Sequence, residues 1–151
     1  WLDWDIGERG REIMDFVRRL TALRAEHPAL RSRHFLGRFD QAEDERNLIW
    51  LRADGEQMTE AEWNDEDARF FGMLIDVEDD EGGRDTVMIL LNGGHQRTVF
   101  TLPATPRGGR WALLLDTSDS RTDGKDAFDQ GDTYGVAGRS LVLLSGRIPA
   151  D

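Results

Sequence analysis

Apolar positions change their period along the chain, and each change predicts an element. Ile13, Phe16, Val17, Leu20 and Leu23 recur at three- and four-residue spacing, the stripe of one amphipathic helix. Asp5 stands where a side chain caps such a helix, with Glu8 three residues on to complete a box. Arg18, Arg19 and Arg24 lie toward its C-terminal end, where cations complement the dipole. Pro28 stops it, because proline pushes the preceding His27 out of the α region.

Beyond Pro28 the pattern is extended. Residues 35–39 predict a short strand, and 48–51 a buried strand turned by Ala53-Asp54-Gly55. Thr59 and Glu62 fit a capping box, so a short helix carries Trp63. Residues 70–77 are apolar on both faces and predict a central strand. Residues 86–91 predict the next, closed by Asn92-Gly93-Gly94, a hairpin signal. In 96–102 the residues alternate, with Thr98, Phe100 and Leu102 on one face; Pro103 ends the run and Pro106-Arg107-Gly108-Gly109 reverses it. Strands at 111–115, 133–136 and 140–144 complete the set, and a charged loop spans 118–132. The fold class is mainly β: an antiparallel sandwich of about seven or eight strands behind one helix.

Composition narrows the function. Of 151 residues, 30 are acidic and 19 basic, a net charge of −11. Phosphate contacts need clustered Lys and Arg, so nucleic acid and anionic membrane surfaces are poor partners. With no cysteine, disulfides, thiolate metal sites and Cys nucleophiles are all excluded, which suits the cytoplasm. The apolar runs at 112–115 and 141–144 are too short to span a bilayer. The chain opens Trp1-Leu2-Asp3-Trp4 without Met, and two tryptophans at a terminus predict a piece of a longer protein.

Candidate chemistry is thin. The carboxylate clusters Asp65/Glu66/Asp67, 78–81, Asp116/Asp119 and 123–132 sit in predicted loops and read as solvated faces. A calcium loop from Asp119 fails at Arg121 and Gln130, and leaves only a looser set in Asp126, Asp129 and Asp132. His27, His34 and His95 have no metal-ligand spacing, and no serine lies in a nucleophile-elbow motif. Trp50 and Trp111 lie inside apolar strands and read as core; Trp1, Trp4 and Trp63 sit beside polar residues and read as interface. Exposed rings also stack on sugars, which makes a glucan-binding module the alternative.

Ordered segments then resemble a known family. Trp1-Leu2-Asp3-Trp4, a helix ending Glu26-His27-Pro28-Ala29-Leu30-Arg31, Trp50-Leu51-Arg52-Ala53-Asp54-Gly55, Met58-Thr59-Glu60-Ala61-Glu62-Trp63-Asn64 and Ala137-Gly138-Arg139-Ser140-Leu141-Val142-Leu143-Leu144 are similar to the C-terminal part of bacterial glycogen debranching enzymes, isoamylase-type glycoside hydrolases of the α-amylase superfamily. The loops 78–85 and 118–132 depart from that pattern by being expanded and acidic. The resemblance implies that residues 1–40 are the last helix and linker of a (β/α)₈ catalytic barrel, and 41–151 a C-terminal β-sandwich domain. It further implies hydrolysis of α-1,6 branch points by an aspartate nucleophile, a glutamate acid/base and a third aspartate, all on barrel strands before Trp1. No catalytic, substrate-binding, metal or cofactor residue is carried over to this chain, which alone is expected to be inactive. The implied partners are the catalytic barrel of the same polypeptide and, for the parent, a branched α-glucan. A trehalose-releasing hydrolase of the same superfamily is the alternative parent. Five bare apolar residues on the helix predict that it folds onto the sandwich or pairs with a second copy.

Overall fold

A computed structural model describes residues 1, 6–31, 48–78, 83–119 and 126–147. The expected strand at 35–39, His34, Trp4 and Asp5 lie outside the described residues. Helix α1 runs Glu8–Glu26 with Gly7 as its N-cap and no side-chain cap, so it starts beyond the position that an Asp5 cap requires. It ends as expected: His27 is extended at φ −110° and ψ 102°, ahead of a 3₁₀ turn over Pro28–Arg31. Among the described residues no helix is long and apolar enough to cross a membrane.

The strands are β1 (Leu48–Leu51), β2 (Phe70–Glu78), β3 (Arg84–Asn92), β4 (Thr98–Thr101), β5 (Arg110–Asp116), β6 (Ala127–Phe128), β7 (Thr133–Val136) and β8 (Ser140–Arg147), with helix α2 (Glu60–Trp63) between β1 and β2. All pairings are antiparallel. Six strands form one sheet in the order β1-β2-β3-β8-β5-β6, and β4 with β7 form a two-stranded ribbon against it. The sandwich is therefore lopsided, a broad layer and a narrow one. Strand β6 lies inside the stretch expected to be a loop.

Alternation sorts the side chains onto two faces. On the inner face Met88, Leu90, Val142, Leu144 and Trp111 are fully buried against Phe100 and Val136 of the ribbon. On the outer face Ile75, Val77, Val87, Leu115 and Leu143 are buried with Leu23 and Ala29, while Met73, Ile89 and Leu141 are only half covered. The Trp111 indole donates to the Pro103 carbonyl at 2.7 Å, which satisfies its one donor inside the core.

Two expectations fail for the same reason, a buried polar side chain. Asn92-Gly93-Gly94 does not make a hairpin, since β3 pairs with β2 and β8 and the chain then crosses to the ribbon. Neither glycine takes the positive φ that a type I′ turn needs. The buried Asn92 amide donates instead to the carbonyls of Gln96 (2.8 Å) and Val136 (3.1 Å), and its oxygen accepts from the Gly94 amide (3.0 Å). Asp116 is likewise buried, not a solvated loop carboxylate. The register of β5 against β8 shifts between Leu113 and Leu115, and this bulge turns Asp116 toward the ribbon. There its oxygens accept from the Tyr134 hydroxyl (2.7 Å), the Ser118 amide (2.7 Å) and the Ser118 hydroxyl (2.6 Å). Burial, then the bond to Asp116, raises the Tyr134 phenol well above its ordinary value.

Asn92→Ala leaves the Val136 and Gln96 carbonyls without this donor, and should cost about 2–3 kcal/mol of unfolding free energy. Tyr134→Phe removes one donor from a buried carboxylate and should cost about 1.5–3 kcal/mol. Urea titration of both variants measures these losses, and a change within about 0.5 kcal/mol, the usual scale for surface substitutions, contradicts the assigned roles.

Candidate interaction surface

Among the described residues, most of the exposed large apolar side chains lie on α1, along the helix stripe. Of its five members only Leu23 is buried; Ile13, Phe16, Val17 and Leu20 are between 38% and 56% exposed. The end of α1 and the 3₁₀ turn after it are fastened to the sheet. Leu23 enters the outer core, and Arg19 donates to the Leu114 carbonyl at 2.6 Å. Asp85, at the start of β3, bonds the His27 ring Nδ1 and the Ala29 amide, both at 2.9 Å. The helix folds onto the sandwich at these last turns, and its remaining stripe is the part to which the other expectation, pairing with a second copy, applies.

A second apolar feature lies on the same outer face. Trp63 of α2 packs on Trp50 of β1 with centroids 4.7 Å apart and planes tilted by 46°, and on Phe71 of β2 at 6.5 Å. Trp50 meets Phe71 edge-on at 5.5 Å. Trp50 is thus half-buried in a surface cluster and not core, because its position in the β1 alternation points away from the ribbon. Trp63 remains 44% exposed and Trp1 is fully exposed.

The four-residue helix that aims Trp63 is held by ionic bonds, being too short to stand on helix propensity. Thr59 and Glu62 form the expected capping box, the Glu62 backbone amide donating to the Thr59 hydroxyl oxygen and the Thr59 amide to the Glu62 carboxylate. The other Glu62 oxygen accepts from Arg52 at 2.7 Å, and Arg52 also makes two bonds to Asp54. The Arg52 bond first, then those from Thr59, hold the Glu62 carboxyl down at about 2. The capping box was legible in the sequence, whereas the Arg52 brace, ten residues away, had no local signal.

Farther along the outer face, Phe71, Leu91 and Leu141 sit side by side on β2, β3 and β8. They floor an open groove of about 520 Å³ whose rim includes Arg69, Thr117 and Arg139. The loop carboxylates do other work: Asp129 pairs with Arg110 at 2.8 Å, and Asp132 accepts from the Asp129 amide at 2.8 Å. Among the described residues no three His, Asp or Glu side chains are grouped to hold a metal ion.

A family model described as "Isoamylase, C-terminal" matches residues 47–145. The chain belongs to the isoamylase C-terminal domain family. Its relatives include a glycogen operon protein GlgX homologue of Mycobacterium tuberculosis, 30% identical over 154 residues that cover 95% of this chain and 21% of that protein. The isoamylase of Pseudomonas amyloderamosa is 30% identical over 155 residues, covering 95% and 19%. Isoamylase 2, chloroplastic, of Oryza sativa is 30% identical over 112 residues, covering 72% and 13%. The chain thus spans about a fifth of the length of the first two. In this isoamylase C-terminal domain, the matched stretch contains all eight strands except the end of β8.

Glu62 ties α2 to β1 only when ionised. Its carboxyl is held at about 2 in the folded domain against an ordinary 4.5, so its contribution is complete above pH 4.5 and is lost as the pH falls toward 2. Near-ultraviolet circular dichroism of the Trp50–Trp63 pair should weaken across that window. Glu62→Gln should show the weakened signal already at neutral pH and no further loss assignable to this group. An identical acid profile in the two proteins refutes the brace.

Proposed function

We propose that this chain is the C-terminal accessory domain of a glycogen debranching enzyme, serving to stabilise a catalytic barrel that hydrolyses α-1,6 branch linkages in glycogen or limit dextrin. Family membership supports the accessory role, and the names of the relatives support the substrate class. The observation that carries the structural role is the uncovered stripe of α1. Full burial of a Val, Leu, Ile or Phe side chain is worth about 1.5–3 kcal/mol, so four half-exposed residues leave several kcal/mol of packing to a partner. On this reading residues 1–40 are the closing helix and linker of the barrel, residues 41–151 are the sandwich, and Trp1, Trp4 and Trp63 flank the contact.

Hydrolysis through an aspartate nucleophile proceeds with retention and needs two closely spaced carboxyl groups across the scissile bond. On this reading the barrel supplies them, and this domain supplies none. A glucan platform is disfavoured by the aromatic cluster itself, whose rings are tilted 46–71° to one another and do not form one flat row. The same uncovered stripe makes self-association the expected behaviour of the isolated chain.

Val17→Lys places a charge in the middle of the stripe. In the full-length enzyme it should remove about 1.5–3 kcal/mol of stabilisation and lower the melting temperature by several degrees. In this chain, where Val17 is 52% exposed, monomer stability should change by no more than about 0.5 kcal/mol. Sedimentation should show any dimer of the wild-type chain dissolving in the variant. Equal melting temperatures for wild-type and Val17→Lys full-length enzyme refute the proposed contact.

A further inference from the structure

The groove on the outer face sits where no element among the described residues covers the sheet. Phe71, Leu91 and Leu141 are register partners on three interior strands, yet each is half-buried, while Leu90 and Val142 on the opposite face of the same strands are fully buried. An apolar floor of this kind, inside a sheet and not at its edge, is a surface built to be covered. Its rim gives the sign of what covers it. Arg69 and Arg139 stand there, in a chain whose net charge is −11. Arg69 donates to the carbonyls of Glu66 and Ala68, and its contact with a carboxylate is a 3.8 Å pair with exposed Asp67, a long, solvent-screened pairing that leaves most of the guanidinium charge available. The Arg139 guanidinium lies 2.6 Å from the His95 ring Nδ1, and among the described residues no carboxylate lies within ion-pair distance of it.

The backbone adds a second observation. Arg139 is the one non-glycine among the described residues with positive φ, at 56°. Glycine suits that turn position at lower strain, so a guanidinium is kept there against the local preference. The groove is also continuous with the aromatic cluster, since Phe71 belongs to both.

We propose that this groove seats an acidic segment of the catalytic domain of the same polypeptide, one that sets a carboxylate between Arg69 and Arg139 and an apolar side chain on the Phe71–Leu91–Leu141 floor. The inference rests on the packing of this domain against that barrel, and extends the contact from the helix stripe and Trp63 to the far end of the sheet. The floor favours a polypeptide over a glucan: it is three apolar side chains, whereas a sugar needs a dense set of hydrogen-bonding groups beside its stacking ring. The guanidinium fork suits a carboxylate, which it binds with two parallel bonds.

Arginine footprinting tests it. Full-length enzyme and this chain are treated with phenylglyoxal, and the rates at Arg69 and Arg139 are read by peptide mass, with exposed Arg107 as the internal control. Both groove arginines should react several-fold more slowly in the full-length enzyme, and Arg107 equally in the two. Equal rates at the groove overturn the proposal. So does protection that appears only on adding maltooligosaccharide, which makes glucan the occupant. Charge is tested separately: Arg139→Glu should lower the melting temperature of the full-length enzyme more than Arg139→Gln does, and equal effects overturn the acidic occupant. If Val17→Lys weakens the full-length enzyme while the groove arginines stay reactive, the helix contact stands and the groove assignment alone falls.

Discussion

A sheet that is apolar on both faces must be covered on both, and the rest of this structure follows from how that requirement is met. Strands β2, β3, β5 and β8 place large aliphatic residues on alternate sides with few polar interruptions. At about 25 cal/mol per Å² of apolar surface, an uncovered face would remove most of the stability of a domain this size. Among the described residues the inner face is closed by a two-stranded ribbon, in which Phe100 and Val136 fill the centre and Trp111 rises from the sheet to meet them. Among the described residues the outer face is closed in part, by Leu23, Ala29 and Leu30 at one end. The lopsided sandwich is the arrangement expected of a domain that finishes its packing on a neighbour.

Closing the inner face requires the chain to leave the large sheet and return, and two buried polar side chains mark the crossings. Asn92 ends β3 and binds the ribbon backbone directly, through the Val136 carbonyl. Asp116 ends β5 and binds the ribbon through Tyr134. Each costs desolvation and is kept only because its bonds are complete. They give the layers a fixed register that aliphatic contacts alone, being non-directional, would leave loose.

Local chemistry was legible in the sequence and layer assignment was not. The strands at 48–51 and 133–136 match their expected bounds, the Thr59–Glu62 box is present, and Pro28 ends the helix as read. Each of these depends on neighbours within four residues. Asn92-Gly93-Gly94 misled because its side chain acts on Val136, forty-four residues away, a partner no window can see. Asp116 read as a loop residue because the bulge that turns it inward is a property of pairing with β8. Trp50 and Trp111 stood in equivalent apolar runs, and only the position of the ribbon separates the surface ring from the core ring. The candidate surface, whose role is proposed, was half legible. The helix stripe and Trp63 were readable, whereas the groove assembles residues from β2, β3, β8 and their turns.

The attachment of α1 shows how a partial cover can still be rigid. The contacts described between the helix and the sheet lie toward its C-terminal end, so its direction depends on its final turns and the residues just after them. There one carboxylate, Asp85, accepts from the Ala29 amide and bonds the His27 ring, and both partners follow from Pro28 having broken the helix. A proline-terminated helix leaves its next backbone amides without helical acceptors. Supplying that acceptor from the first residues of β3 fixes the exit of the helix to an interior strand of the sheet. Arg19, two turns back, adds a lever arm by binding the Leu114 carbonyl inside the β5 bulge. The same bulge that turns Asp116 inward therefore presents the carbonyl that steadies the helix outside. The uncovered stripe is held at a set angle to the sheet, and whatever packs on one is placed relative to the other.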